Sequence, residues 1–470
     1  MSSPLFRKGK YLAIAILIGV CTSGFADYKD DIGYTQLVLE LGGSIPTGTG
    51  VNVTQIEAPL TNGGTNYAPD TTNSAFTGKT FIFPVSGSTV SSHATTVGGY
   101  FYGSNSTAPG ISQVTVFNVN DWIGSSSLRT SLPIAPAIST GKVQNSSWIG
   151  TTDTGSVDTE ILERYDYQIN RDGVIAVVGV NNGVSSVPNL LAAGYNSIAV
   201  GLSSGNSSSG TTSPTLSFIY GNPRQKPDIV VPTDATSWAT AIVSSSAALL
   251  VSSAPNANAM RPEVIRATLM AGATKTGLGG TWTHTQTVPL DSTYGAGQLN
   301  IYNSYHIQQA GQFAGQTTAV SMVGNTGWDL GTAQSASPEY YFFHVSTLSD
   351  FSAVLTWNVN VSANFNWSTI TPTLANLDLF LYNANGLTIG SLVDQSISGA
   401  ASSTSENVEL LWEQNLAVGD YAIKITSDTT QQYGFAWQTI PEPSTWMLLI
   451  FGVIFTGVMI RRSQSAASVG

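Results

Sequence analysis

The first part of the chain carries short apolar runs that end in polar or glycine-rich turns. Residues 51–57 alternate apolar and polar side chains, apart from a slip at Thr54 and Gln55, and residues 172–183 contain an unbroken apolar run that ends in Asn-Asn-Gly. Alternation predicts a strand that enters the core, and an unbroken run predicts a central strand of a parallel sheet. Residues 238–250 are small and mostly apolar, which favours a long buried helix.

After about Gln309 the pattern becomes one of short β runs separated by Gly, Asn and Ser turns. The five clearest runs are residues 340–345, 351–357, 377–382, 408–412 and 421–426. Strands of this length and spacing predict a β-sandwich, which we place over residues 310–440.

Composition adds limits on function. The chain has 470 residues, of which 42% are hydrophobic, so two or three domains with sizeable cores are expected. Charged residues are only 10% and the net charge is -11. The acidity favours solubility. Because there is no basic patch to neutralise phosphates, no nucleic-acid partner is expected.

The N-terminus has the three parts of a secretory signal. Basic residues at positions 7, 8 and 10 precede an apolar stretch over residues 11–20, and residues 24–26 form a small-residue cleavage site. We therefore predict a signal peptide over residues 1–26. A lipoprotein signal at Cys21 is the alternative, although Val20 fits it poorly. Since Cys21 is the only cysteine, the mature chain would have no disulfide, cysteine nucleophile or cysteine metal site.

The C-terminus has a motif, an apolar run and a basic stop in that order. Residues 441–444 read Pro-Glu-Pro-Ser, residues 446–460 are apolar, and Arg461 and Arg462 follow. This arrangement over residues 441–470 resembles a PEP-CTERM sorting signal. The resemblance implies a transient membrane anchor, processing by an exosortase-type enzyme, and release to the cell surface or extracellular space of a Gram-negative bacterium. A permanent one-pass anchor is the alternative, and it also places the preceding domains outside the cytoplasm.

Four residues are candidates for acyl-transfer chemistry. Ser237 stands at the start of the predicted long helix, whose positive end favours an oxyanion beside it. His93 is followed by small residues that leave an imidazole uncovered. Glu57 ends the predicted strand, where a carboxylate could accept the Nδ1–H of a histidine. Asn181, in the turn after the apolar strand, could donate to an oxyanion, and Asn182 is the alternative.

The segments around these residues resemble those of subtilisin-like serine peptidases. Residues 234–250, 93–99, 48–58 and 172–183 match the family's serine, histidine, acid and asparagine segments. The resemblance implies an α/β fold with a mainly parallel sheet flanked by helices over residues 27–309, a polypeptide substrate, and the catalytic residues Glu57, His93 and Ser237. It also implies that Ser147, Trp148 and Gly150 line the substrate cleft. The following sandwich resembles the bacterial pre-peptidase C-terminal domain.

Glu57 is the main departure from that family, which has an aspartate at this position. The additional methylene requires a shift of about 1 Å, enough to matter for rate. Asp70 is a more distant alternative for the acid. No metal site is identified and no cofactor is expected. Calcium is left open, because members of the family often bind it through oxygen ligands.

The sequence therefore predicts an exported serine endopeptidase that acts through an acyl-enzyme on Ser237. The alternative is a catalytically impaired surface or matrix binding protein with the same fold. Glu57 and the short approach from Pro232 to Ser237 favour that alternative, whereas the histidine, asparagine and serine segments favour the enzyme.

Overall fold

The computed structural model describes residues 27–61, 63–152, 154–398 and 405–441. The predicted signal peptide and the apolar run of the sorting signal lie outside these residues. Within the described ranges, no helix is long and apolar enough to cross a membrane.

The helices of the described chain precede the predicted sandwich. They are α1 (Tyr28–Asp31), α2 (Tyr34–Leu41), α3 (Ser92–Phe101), α4 (Val119–Asp121), α5 (Gly155–Asp172), α6 (Thr236–Ser253), α7 (Pro262–Gly272) and α8 (Ile301–Ala310).

The strands of the first part alternate with these helices. They are β1 (Val53–Glu57), β2 (Asn66–Ala68), β3 (Thr80–Ile82), β4 (Thr89–Val90), β5 (Gln113–Asn118), β6 (Val143–Ser146), β7 (Ile175–Gly179), β8 (Ile198–Leu202), β9 (Gly210–Thr211), β10 (Gln225–Lys226) and β11 (Ile229–Val231). The strands after α8 are β12 (Gly327–Ala333), β13 (Glu339–Val345), β14 (Ser349–Trp357), β15 (Asn360–Ala363), β16 (Ile370–Thr373), β17 (Leu377–Asn385), β18 (Thr388–Ser396), β19 (Val408–Leu416), β20 (Gly419–Ser427) and β21 (Gln431–Pro441).

Seven strands form one sheet in the order β11-β8-β7-β6-β1-β5-β3, and every neighbouring pair is parallel. Helix α6 packs across β6, β7 and β8. Fourteen of its eighteen residues are buried, because small Ala, Ser and Thr side chains let it lie close to the sheet. The carboxyl ends of parallel strands meet at one edge, where α/β proteins place their ligands.

The second part contains two four-stranded antiparallel sheets, β12-β21-β14-β19 and β13-β20-β17-β18, with a shared apolar core. All five predicted β runs fall within these strands. The predicted fold class, a helix-flanked parallel sheet followed by a β-sandwich, is confirmed. The predicted boundary at residues 309 and 310 falls at the end of α8.

Helix α7 joins the two parts through main-chain and side-chain contacts. Arg266 donates to the carbonyl oxygens of Tyr195 and Trp357, both at 2.7 Å. Gly434 on β21 lies so close to Glu263 that an added Cβ would be 2.3 Å from its carbonyl carbon. The sandwich is therefore packed directly onto the first part.

Candidate active site

Glu57 is the last residue of β1, a central strand between β5 and β6. All five residues of β1 are buried, and Glu57 has no exposed surface. The strand therefore delivers one carboxylate to the carboxyl edge of the sheet and shields it from water.

His93 lies in the first turn of α3, whose N-cap Ser91 accepts a hydrogen bond from the Ala94 amide at 3.2 Å. His93 Nδ1 is 2.9 Å from Glu57 Oε2, and Nε2 is 3.0 Å from Ser237 Oγ. Because an ionised carboxylate only accepts hydrogen bonds, Nδ1 carries the proton and Nε2 accepts from the serine hydroxyl. The hydrogen bond to Glu57 raises the pKa of His93, and burial opposes that shift.

Ser237 is the second residue of α6, and two contacts fix the start of this helix. The Thr236 amide donates to Asn182 Oδ1 at 2.9 Å. The Ser147 hydroxyl donates to the Ser237 carbonyl at 2.8 Å and itself receives a bond from Asn145 Nδ2 at 2.9 Å. The nucleophile candidate is thus held from β6 and from the turn after β7.

The structure brings Glu57, His93 and Ser237 into one hydrogen-bonded chain. Asp70, the alternative acid, instead accepts from the amide and hydroxyl of Thr72, at 3.0 and 2.7 Å. The longer side chain of Glu57 therefore reaches the histidine without help from another carboxylate.

Gln55 and Tyr102 are parts of the site that the sequence did not reveal. Gln55 Nε2 donates to Glu57 Oε1 and to the Ala94 carbonyl, both at 2.9 Å. The Tyr102 hydroxyl donates to Gln55 Oε1 at 2.5 Å. All three polar positions of the amide are used, so its orientation is fixed. The only sequence signal was the slip in alternation at Gln55.

The two asparagines after β7 have different surroundings. Asn182 Oδ1 accepts from the Thr236 amide and hydroxyl, and its Nδ2 has no partner within the described part of the chain. Asn181 is held through its main chain, which exchanges hydrogen bonds with Ser208 at 2.8 and 2.9 Å. The geometry therefore places Asn182, rather than Asn181, against the residue that precedes Ser237.

A cavity of about 110 Å³ lies beside Ser237, between residues 147–149 and 179–182. Ser147 and Trp148 line it, and Trp148 is only 8% exposed. Gly150 lies outside this cavity, and its N–H and carbonyl both pair with Leu190. That Gly150 lines the substrate cleft stays a prediction.

No metal-binding site is visible among the residues that the structure describes. Residues 27–61, 63–152, 154–398 and 405–441 contain no cluster of three His, Cys, Asp or Glu side chains that could hold an ion. The open expectation about calcium stays a prediction.

Comparison with known proteins gives only distant likenesses. No protein-family model and no curated protein matches the chain. Among solved structures, it is similar to the prenylagaramide maturation protease PagA (20% identity, 55% of this chain and 93% of that one, TM-score 0.36). It is also similar to a serine protease of Aeromonas sobria (14% identity, 84% of this chain and 89% of that one, TM-score 0.38). A third similar structure is the PatG macrocyclase in complex with peptide (14% identity, 60% of this chain and 97% of that one, TM-score 0.39). At these identities and TM-scores, the similarities do not support any conclusion about activity.

Proposed function

We propose that the chain is a serine endopeptidase. The observation that carries the proposal is the continuous hydrogen-bonded chain from Ser237 Oγ through His93 to Glu57, with distances of 3.0 and 2.9 Å. A nucleophile, a base and a group that orients the base are the minimum constellation for acyl transfer.

In this mechanism His93 Nε2 takes the proton of Ser237 as Oγ attacks the peptide carbonyl. The imidazolium then gives that proton to the leaving amine, and the acyl group stays on Ser237. Water enters and attacks the acyl carbon while His93 takes one of its protons, and the imidazolium then returns that proton to Ser237 Oγ as the carboxylic acid leaves. Glu57 holds the Nδ1–H and stabilises the imidazolium in both halves of the reaction.

Asn182 supplies the side-chain donor to the oxyanion in this proposal. Its oxygen is already used by Thr236, which leaves its Nδ2 free to donate beside the main-chain amide of Ser237. Removing such a donor costs about 10²–10³-fold in kcat. We expect that loss for Asn182→Ala and a much smaller one for Asn181→Ala; the reverse order in steady-state assays would restore Asn181 as the donor.

Gln55 and Tyr102 act as positioning residues for Glu57. The Gln55 amide holds the carboxylate oxygen that does not face His93, and Tyr102 holds Gln55. This support compensates for the additional rotatable bond of glutamate, whose loose carboxylate would otherwise spend less time facing the histidine.

The substrate is a polypeptide with a small side chain before the scissile bond. The cavity beside Ser237 is only about 110 Å³, and the nearly buried ring of Trp148 limits it. We expect fluorogenic peptides with Ala or Ser at this position to be hydrolysed with a higher kcat/KM than those with Phe or Leu. Trp148→Ala should reduce this difference in kcat/KM. A wild-type preference for Phe would contradict this assignment.

The sequence signals support export, with processing by an exosortase-type enzyme at the C-terminus. We propose that the mature protein begins at Asp27 and ends near the Pro-Glu-Pro motif at residues 441–443. Intact-mass measurement of protein recovered from the cell surface or medium tests both ends. Retention of residues 446–460 would instead support a permanent anchor.

Labelling with a fluorophosphonate probe tests the central proposal. We expect wild-type protein to label and Ser237→Ala to lose all label. Label that persists on Ser237→Ala would remove Ser237 as nucleophile. A folded wild-type protein that does not label would favour the binding-protein alternative.

A further inference from the structure

A second cavity, of about 490 Å³, lies where the sandwich meets helix α5. One wall comes from residues 131–133 and α5, and another comes from residues 366–370, which form the end of the β15–β16 connection and the first residue of β16. Phe218 contributes a third side. Glu57, His93 and Ser237, the triad of the proposed mechanism, do not line this cavity.

Glu163 lines this cavity and is a buried carboxyl group without a hydrogen-bond donor. It is 3% exposed, and its Oε1 has no partner among the described residues. Burying a carboxylate without donors or a counter-ion is strongly unfavourable. Glu163 must therefore carry a proton or receive a cation from outside the chain.

The nearby Arg164 does not serve as that cation. Its Nε donates to Glu160 Oε1 at 2.7 Å. Its two terminal nitrogens donate to main-chain carbonyls, those of Leu128 and Ile134 at 3.2 and 3.0 Å and that of Leu132 at 2.8 Å. Four of the five guanidinium N–H groups thus donate to other acceptors, and none of these bonds reaches the carboxyl of Glu163.

Strained backbone is concentrated around the same cavity. Six non-glycine residues of the described chain have positive φ, and three of them line it: Ser131 at 62°, Phe218 at 55° and Trp367 at 56°. This conformation costs about 1–3 kcal/mol per residue and is typically retained at ligand clamps and other functional sites. Bulky residues such as Phe218 and Trp367 adopt it least readily.

We propose that this cavity binds an organic ammonium group, from an alkylamine or a lysine side chain, with Glu163 as its counter-ion. The aromatic ring of Phe218 supplies a surface that attracts such a cation, whereas the Trp367 ring already has the Arg164 guanidinium 5.0 Å from its centroid. An alkyl chain also suits the apolar rings better than a strongly hydrated metal ion would. The site is separate from the triad and does not depend on the proposed peptidase activity.

Titration of Glu163 gives the proposal a distinctive signature. Burial, and then the charges of Glu160 and Asp166, raise the pKa of Glu163 to about 8, while Arg164 opposes the shift. Tyr220, in the turn that follows Phe218, is the other titratable group that interacts with Glu163. At neutral pH the free site therefore holds a proton on Glu163, and binding of an ammonium ion releases it.

Calorimetric titration of the full chain with n-pentylamine hydrochloride tests this inference. At pH 7, in buffers of different ionisation enthalpy, we expect saturable binding with release of close to one proton per ligand. 1-Pentanol, which has the same chain but no charge, should not bind. Nα-acetyl-lysine amide is the second ligand: tighter binding than pentylamine assigns the site to polypeptides, and weaker binding assigns it to free amines.

Glu163→Gln is the decisive variant, because it keeps the shape of the side chain and removes its charge. We expect binding to weaken at least ten-fold, while Glu40→Gln, which removes an exposed carboxylate elsewhere, leaves it unchanged. Absence of saturable binding to wild-type protein, equal binding to Glu163→Gln, or binding without proton release would each overturn the proposal.

Discussion

Glu57 and Glu163 are both almost completely buried, but only Glu57 has donors for both carboxylate oxygens. Glu57 Oε1 receives the Gln55 amide and Oε2 faces His93 Nδ1, each at 2.9 Å. Glu163 Oε1 receives no hydrogen bond within the described residues. The fold therefore surrounds the Glu57 carboxyl group with donors, whereas in the proposed site only a cation from outside the chain would stabilise the Glu163 carboxylate.

The two sites also differ in how they are built. Glu57 ends a strand whose neighbours in the sheet fix its position, and α3, which packs against α6, carries its partner His93. Glu163 lies on the face of α5 that faces the sandwich, and residues 366–370 complete its cavity. A carboxylate at a sheet edge meets preorganised donors, but one on a helix depends on whatever packs against it.

The same substitution at both positions gives the largest contrast. For Glu57→Gln we expect kcat/KM to fall about 10³–10⁴-fold, because His93 loses the anion that fixes its tautomer and stabilises the imidazolium. Glu163→Gln should stay within about two-fold of wild type, as expected for a change away from the reacting groups. Steady-state peptide hydrolysis measures both. Equal activities for the two variants would remove Glu57 from the mechanism.

Removing the support of Glu57 should have a smaller effect. For Gln55→Leu we expect kcat to fall by about 10–100-fold with little change in KM, because the carboxylate is misplaced but not removed. Tyr102→Phe should lower kcat less, since Gln55 keeps its bonds to Glu57 and Ala94.

Tyr341→Phe is the matched control for Tyr102→Phe. It removes an equally buried hydroxyl, one that donates to Asp329 in the sandwich at 2.9 Å. A loss of kcat for Tyr102→Phe but not for this control would separate positioning from general destabilisation. Unchanged kcat in Gln55→Leu would show that Glu57 needs no support.

These contrasts also show what the sequence could reveal. Glu57, His93 and Ser237 were predicted because each lies in a recognisable segment that ends a strand or starts a helix. Gln55 appeared only as a break in alternation, since its partner Tyr102 is 47 positions away and nothing local indicates the contact. The choice between Asn181 and Asn182 depended on side-chain orientation, which a turn sequence does not encode.

The sequence did not single out Glu163, for a different reason. On α5 it is one polar residue among many in a helix that also carries Glu160 and Arg164. It shares its cavity with residues 366–370, which come much later in the chain. No pattern within α5 therefore indicates this site.

The pH dependence of the free energy of unfolding tests whether Glu163 is unpaired in the folded protein. Its pKa rises from an unfolded value of 4.5 to about 8 in the folded protein. Below pH 4.5, Glu163 is protonated in both the folded and the unfolded protein and does not change the free energy of unfolding. As the pH rises from 4.5 to about 8, the free energy of unfolding falls progressively, because the unfolded protein gives up this proton more readily than the folded protein. At about pH 8.5, Glu163→Gln should therefore be more stable than wild type by roughly 2–4 kcal/mol, with little difference near pH 4.

Urea denaturation at the two pH values measures this difference. Comparing wild type with Glu163→Gln cancels the contributions of the distant buried carboxyl groups, whereas that of Asp166, whose charge acts on Glu163, remains part of the measured difference. Saturating pentylamine should reduce the difference at high pH, since the bound cation favours the ionised form of Glu163. Equal stabilities at both pH values would indicate that Glu163 already has a partner.

The acid limb of the pH–rate profile gives the smallest and most specific contrast between the two glutamates. Catalysis needs neutral His93, so kcat/KM is lost as pH falls through the pKa of this residue. The hydrogen bond to Glu57 raises that pKa above its ordinary value of 6.5. Residual activity of Glu57→Gln should therefore persist to lower pH than that of wild type. Glu163→Gln should keep the wild-type limb, and a shifted limb in this variant would mean that the two sites are coupled through α5 and the sheet.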